Sequence, residues 1–173
     1  MKMLIATMSA GLCAAFAVSA PAAEYKHKIV QAGVTFEWGI DGQSLNGRMS
    51  AKTTGWVGVG FNATKGMQDA AFVIGAVKDG QPKAAVYVGN SPMAHGKATA
   101  EADVANVGGG EADGVTTIHF TIPLVSKNPQ VKPIAVDKDT KVLLAYGNDD
   151  SVKVRHAERA EVLLNLSTGE VKK

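Results

Sequence analysis

The stretch Thr54–Val77 reads TGWVGVGFNATKGMQDAAFVIGAV, and its spacing of apolar residues decides the expected fold. In residues 57–61, valine and phenylalanine alternate with glycine, which predicts a strand with one apolar face. A loop containing Met67 follows, and the continuous apolar run at 70–77 predicts a buried strand. A strand, a loop and a second strand in this order are typical of an antiparallel sheet.

The period of two residues continues on both sides of this stretch. Residues 34–41 and 115–122 alternate apolar with polar side chains, and shorter apolar runs occupy 83–88, 142–146 and 162–166. Turn-forming residues separate these runs, and no long amphipathic helix is present. We therefore predict an all-β protein, an antiparallel immunoglobulin-like β-sandwich of about ten strands.

The N-terminal segment has the pattern of an export signal. Lys2 precedes a long uncharged apolar stretch that ends in small residues around Pro21. This pattern predicts a cleaved signal peptide at 1–23 followed by one β-sandwich domain at 24–173, in a periplasmic or secreted protein. An uncleaved membrane anchor is the less favoured alternative. Cys13, the single cysteine, would leave with the signal, so the mature domain could not attach a c-type haem.

Composition narrows the class of function. Lys and Arg number 18 against 16 Asp and Glu, a net charge of +2, so we expect no nucleic-acid partner. The sequence has no GxSxG, no HExxH and no phosphate-binding loop, which argues against a hydrolase. Composition and period therefore indicate an exported β-sandwich that is not a hydrolase, without stable membrane insertion of the mature chain.

Two residues are candidate metal ligands. Val152, Val154 and His156 share one parity, so His156 extends an apolar face where a neutral imidazole needs a partner. That partner is either a backbone group or a metal. Met67 sits in a loop after Gly66 and is a gap-filler, a loop tip or a ligand.

Four segments together resemble the DOMON domain family. Residues 54–77 resemble its core motif, a GW-hydrophobic-GxGF strand followed by a loop with Gly-Met and a buried strand. Residues 113–124 resemble the next strand, 141–147 the "viyAyG" strand, and 155–166 the closing "H-x-x-R-G … N-L" segment. The resemblance covers about residues 36–166.

The resemblance implies a β-sandwich and, in the haem-binding branch of the family, a b-type haem held between a methionine and a histidine. These two ligands map onto Met67 and His156. The implied function is that of an exported b-type cytochrome, so we expect an electron-transfer or binding protein and not an enzyme. It transfers electrons through non-covalent haem b to a redox partner protein in the periplasm or cell envelope. The family's aspartate after the methionine is Ala71 here, and Asp69 is out of register.

Further residues are candidates to hold the haem. Aromatic side chains could form its wall, and cations could pair with its carboxylates. A plain core or surface role is the alternative for each. The wall candidates are Trp56, Phe61, Phe72 and Tyr146, and the cations are Lys65, Arg155 and Arg159.

Two other classes of function stay open. One is a haem-free DOMON domain that binds sugar or another ligand, although aromatic residues make up only 6% of the chain. The other is a periplasmic copper-binding protein that uses Met93, His95 and another histidine.

Overall fold

The computed structural model describes residues 24–98 and 104–172; the predicted signal peptide at 1–23 lies outside them. The described residues form twelve strands, and no helix among them is long and apolar enough to cross a membrane. In chain order the strands are β1 (His27–Gln31), β2 (Val34–Asp41), β3 (Ser44–Ala51), β4 (Val57–Phe61), β5 (Ala71–Lys78), β6 (Gln81–Ser91), β7 (Ala94–Lys97), β8 (Ala105–Ala112), β9 (Val115–Pro123), β10 (Asp139–Tyr146), β11 (Glu158–Asn165) and β12 (Val171–Lys172).

The strands pair into two antiparallel sheets. One has five strands in the order β1-β2-β3-β9-β8, and the other has seven in the order β12-β11-β10-β4-β5-β6-β7. The predicted all-β sandwich is confirmed. The count exceeds the expected ten because β7 has four residues and β12 only two, too few to show a period in sequence.

The core lies between the sheets. Phe36 stacks on Trp38 with ring centroids 5.0 Å apart and meets Phe61 of the opposite sheet at 5.9 Å. Trp38 Nε1 donates a 2.7 Å hydrogen bond to the carbonyl oxygen of Leu166, which satisfies the one polar atom of the indole. Burial of each such ring contributes about 1.5–3 kcal/mol to the stability of the sandwich.

The seven-stranded sheet also has an apolar outer face, turned away from the core. Because side chains alternate along a strand, Phe72 and Ile74 of β5 and Leu143 and Ala145 of β10 point outward. They form a second buried cluster with Trp56. An antiparallel sheet needs only one apolar face to fold. The loops at 62–70 and 147–157 cover part of this second face, because Ala63, Met67, Ala70 and Val152 belong to the same cluster.

Candidate functional site

A cavity of about 270 Å³ lies on this outer face. Met67 enters it from the loop between β4 and β5, and His156 from the loop between β10 and β11. Phe72, Leu143 and Ala145 line it from the strands. The structure thus brings together the two residues that the resemblance implied as a ligand pair, although 88 residues separate them in the chain.

Strand pairing explains why no side chain of β4 lines this cavity. Leu143 lies opposite Gly60, and Gly60 lies opposite Phe72, in one row across β10, β4 and β5. A Cβ atom at residue 60 would lie 2.4 Å from the Phe72 ring, whereas one at Gly58 would lie 3.3 Å from Ile74. Glycine at position 60 therefore lets the phenyl ring lie against β4, so that no side chain of β4 enters the cavity.

The Met67 loop is fixed by its backbone. Asn62, Gly66 and Asp69 have positive φ angles of 62°, 55° and 67°, and these turn the chain sharply. The Met67 amide donates to the carbonyl of Pro92 at 3.0 Å, and its own carbonyl accepts the Ala70 amide at 3.2 Å. The thioether is presented from a loop with little freedom.

Polar side chains brace the outside of the same loop. The Asp69 carboxylate accepts hydrogen bonds from Lys132 Nζ at 2.7 Å and Thr64 Oγ1 at 2.8 Å. The bonds from Lys132 and Thr64 hold the pKa of Asp69 below its usual value. Asp69, which is out of register with the family's aspartate, thus holds the loop in place through Thr64 and Lys132.

His156 is half-buried, and its surroundings favour the neutral imidazole. Burial, and then the charges of Arg159 and Arg155, lower the pKa of His156. The neutral ring is the form that ligates a metal. The strand parity predicted for this segment is wrong, because residues 147–157 form a loop and Val154 is 46% exposed.

The other predicted haem contacts divide into two groups. Phe72 and Arg159 line the cavity, and Trp56 belongs to the same outer cluster. Phe61 and Tyr146 do not belong to this site: both pack on the inner face, Phe61 fully buried in the core. The wall role predicted for these two residues is therefore wrong.

The cations also separate by position. Arg159 lies opposite Ala145 and lines the cavity. Lys65 and Arg155 are exposed in the loops that carry Met67 and His156, and they do not line the cavity. Glu161, a lining residue that the sequence analysis missed, pairs with Lys141 at 2.7 Å.

Two buried nitrogens near the site have no partner among the described residues: Trp56 Nε1 and His95 Nδ1. The His95 ring packs against Phe72 and Tyr87, with centroids 5.5 Å away in both cases, and burial lowers its pKa. A buried donor without a partner costs about 1–3 kcal/mol. Such atoms are therefore expected where a bound group supplies the missing contact.

The described residues give no support to the hypothesis of a copper-binding protein. Met93 is 87% exposed, while His95 is packed against the aromatic rings. Within residues 24–98 and 104–172, no three His, Cys, Asp or Glu side chains come together as a metal site.

Curated proteins give distant matches. DBH-like monooxygenase protein 1 of Mus musculus is 30% identical over 142 residues, which are 80% of this chain and 23% of the relative. The protein of the same name from Gallus gallus is 38% identical over 69 residues, 38% of this chain and 11% of that relative. The chain thus spans less than a quarter of the length of these relatives.

Solved structures show the same fold. The cytochrome b domain of pyranose dehydrogenase from Coprinopsis cinerea superposes with a TM-score of 0.63 and 11% identity over 82% of both chains. The cytochrome domain of Myriococcum thermophilum cellobiose dehydrogenase gives 0.60 and 11%, covering 79% of this chain and 77% of the other. A family profile described as the DOMON domain matches residues 31–147. The chain belongs to the DOMON domain family.

Proposed function

We propose that the protein is an exported b-type cytochrome, which exchanges electrons with a redox partner in the periplasm or cell envelope through non-covalent haem b. The observation that carries the proposal is the convergence of Met67 and His156 on one cavity. A thioether and a neutral imidazole are a donor pair that suits haem iron.

The outer face fits a flat apolar group. Gly60 keeps the β4 backbone free of side chains, and Phe72, Leu143 and Ala145 supply apolar contacts. A planar macrocycle would cover this apolar surface.

Each residue then has a separate task. Met67 and His156 would hold the iron from two loops, and Arg159 would pair with a haem carboxylate, with Lys65 and Arg155 as further cations from those loops. The apolar side chains exclude water, which keeps the site at low dielectric. When bound, the haem would supply reversible one-electron exchange, and Met67 and His156 as its protein donors would favour electron transfer over oxygen binding.

The comparisons support this choice over the other classes. Both superposed structures are described as cytochrome domains, one of them as a cytochrome b domain. The monooxygenase name belongs to relatives of which this chain spans less than a quarter, so we do not transfer that activity.

Haem titration of the purified protein tests the proposal. We expect one haem per chain and a low-spin spectrum with sharp reduced α and β bands. Met67→Ala and His156→Ala should each abolish that spectrum, because each removes one axial ligand. Met93→Ala and His119→Ala are matched controls, since both residues are exposed, and they should bind as wild type does.

Four outcomes would contradict the proposal. A protein that takes up no haem, or whose spectrum is the same in both ligand variants, is not this cytochrome. Copper retained through purification, and lost in His95→Ala, would favour the copper-binding alternative. Glycan binding by haem-free protein would favour a ligand-binding domain.

A further inference from the structure

The hairpin of β6 and β7 is irregular beside the Met67 loop. The register of the ladder shifts between Gly89 and Ser91, so one strand carries an additional residue. Such a β-bulge bends its strand and redirects backbone groups, and bulges are frequent next to functional sites.

Three backbone hydrogen bonds join this hairpin to the Met67 loop. The Met67 amide donates to Pro92 O at 3.0 Å, and the Asp69 amide donates to Gly89 O at 3.0 Å. In the other direction, the Gly89 amide donates to Ala70 O at 2.9 Å. Met67 itself and two residues that follow it, Asp69 and Ala70, are thus hydrogen-bonded to the bulged segment.

The two segments approach so closely that no side chain fits between them. A Cβ at Gly89 would lie 1.7 Å from the carbonyl oxygen of Met67, and a Cβ at Gly66 would lie 2.3 Å from that of Pro92. Any larger residue at position 66 or 89 must displace the peptide that carries the thioether.

From this contact we infer that the bulged hairpin positions the sulfur of Met67, with Gly89 as its main positioning residue. The inference rests on the proposed function, because it makes the strength of the axial thioether bond depend on a hairpin that contributes no ligand. Functional side chains must be held within about 0.5 Å of their working position. Relieving the 1.7 Å contact that a Cβ at Gly89 would make requires a larger shift of the Met67 peptide than that.

The bonds of the Asp69 side chain are the weaker brace. The Lys132 side chain is 60% exposed, so solvent screens its ion pair with Asp69 and weakens it. The contact at Gly89 involves buried backbone, which cannot adjust by rotating a side chain. The hairpin therefore dominates the placement of Met67.

The test compares three glycine-to-alanine variants of the haem-loaded protein. Gly89→Ala and Gly66→Ala press on the same contact from opposite sides, and Gly66 is exposed, so that variant is expected to fold. Gly96→Ala is the matched control in the same hairpin, because its Cβ meets only the end of the Asn90 side chain at 3.1 Å.

We expect both Gly89→Ala and Gly66→Ala to lose the thioether-to-iron charge-transfer band of the ferric protein. Haem affinity should fall about 10- to 100-fold, the range typical of residues that orient a metal ligand. Gly96→Ala should keep the band and the affinity. A folded Gly66→Ala or Gly89→Ala protein with an unchanged band would overturn the inference.

A second readout does not need haem. In protein with ¹³C-labelled methionine methyl groups, Gly89→Ala or Gly66→Ala should shift and narrow the Met67 signal, while buried Met49 stays unchanged. An unmoved Met67 signal would also overturn the inference. A wild type that binds no haem but whose Met67 signal moves in the variants would remove the proposed function and leave the positioning role standing.

Discussion

The two faces of the seven-stranded sheet are built from alternate residues of the same strands, yet one packs in the core and the other carries a cavity. On β4, Val59 and Phe61 point into the core and are fully buried, while Gly58 and Gly60 turn a bare backbone to the outside. The inner face is closed by the second sheet. The outer face carries the cavity between Met67 and His156. The comparison teaches that one alternating pattern can supply both a core and an apolar outer surface, to which we propose that haem binds.

Truncating one aromatic ring on each face should separate the two roles most strongly. Phe61→Ala removes a fully buried side chain and should lower the free energy of unfolding by about 3–5 kcal/mol in urea denaturation. Phe72→Ala should cost less stability in the haem-free protein, because its surroundings already contain a cavity. It should instead weaken haem binding about 10- to 100-fold, the loss expected from 1.5–3 kcal/mol of aromatic burial.

Equal losses of stability in the two variants, with unchanged haem affinity in Phe72→Ala, would contradict this division between the faces.

Alanine substitutions on β4 sharpen the comparison within the outer face. Gly60→Ala places a Cβ 2.4 Å from the Phe72 ring and should tilt that ring into the cavity, at a cost of about 1–3 kcal/mol typical of overpacking. Gly58→Ala meets Ile74 at 3.3 Å, an approach that a small shift relieves. Calorimetric haem titration should therefore show a clear loss of affinity for Gly60→Ala and little for Gly58→Ala. The opposite order would mean that the ring of Phe72 does not form the wall.

The smallest expected effect concerns the brace outside the Met67 loop. Because Lys132 and Thr64 hold the pKa of Asp69 below its usual value, the ion pair adds stability above the ordinary aspartate pKa. That contribution is lost as the pH falls through the lowered pKa. Wild type should therefore melt slightly above Lys132→Ala at neutral pH, and the two curves should converge in acid. A constant gap at every pH would show that Lys132 stabilises the protein without Asp69.

Much of the fold was predictable because residues 34–41, 57–61 and 115–122 place an apolar side chain on the inner face at every second position. The outer face was harder to predict. Its residues, such as Leu143 and Ala145, look like ordinary strand positions, and a period does not reveal what covers a sheet. Assigning Phe61 and Tyr146 to the cavity failed for that reason, since Tyr146 lies opposite Val57 of the core face.

The site was predictable only where a residue type carries specific chemistry. Met67 and His156 were identified from the family resemblance, whereas the parity argument for His156 assumed a strand that the chain does not form. The role of Gly89 left no trace in the local sequence. It depends on the approach of a hairpin to a loop more than 20 residues earlier, which only the folded chain reveals.

The most direct test of the whole account is the absorption spectrum of the purified protein after it is offered haem. The account predicts a six-coordinate, low-spin spectrum with the charge-transfer band of an axial thioether in the ferric state, lost in Met67→Ala and retained in Met93→Ala. A spectrum of free haem, or a protein-bound spectrum that Met67→Ala leaves unchanged, would contradict it.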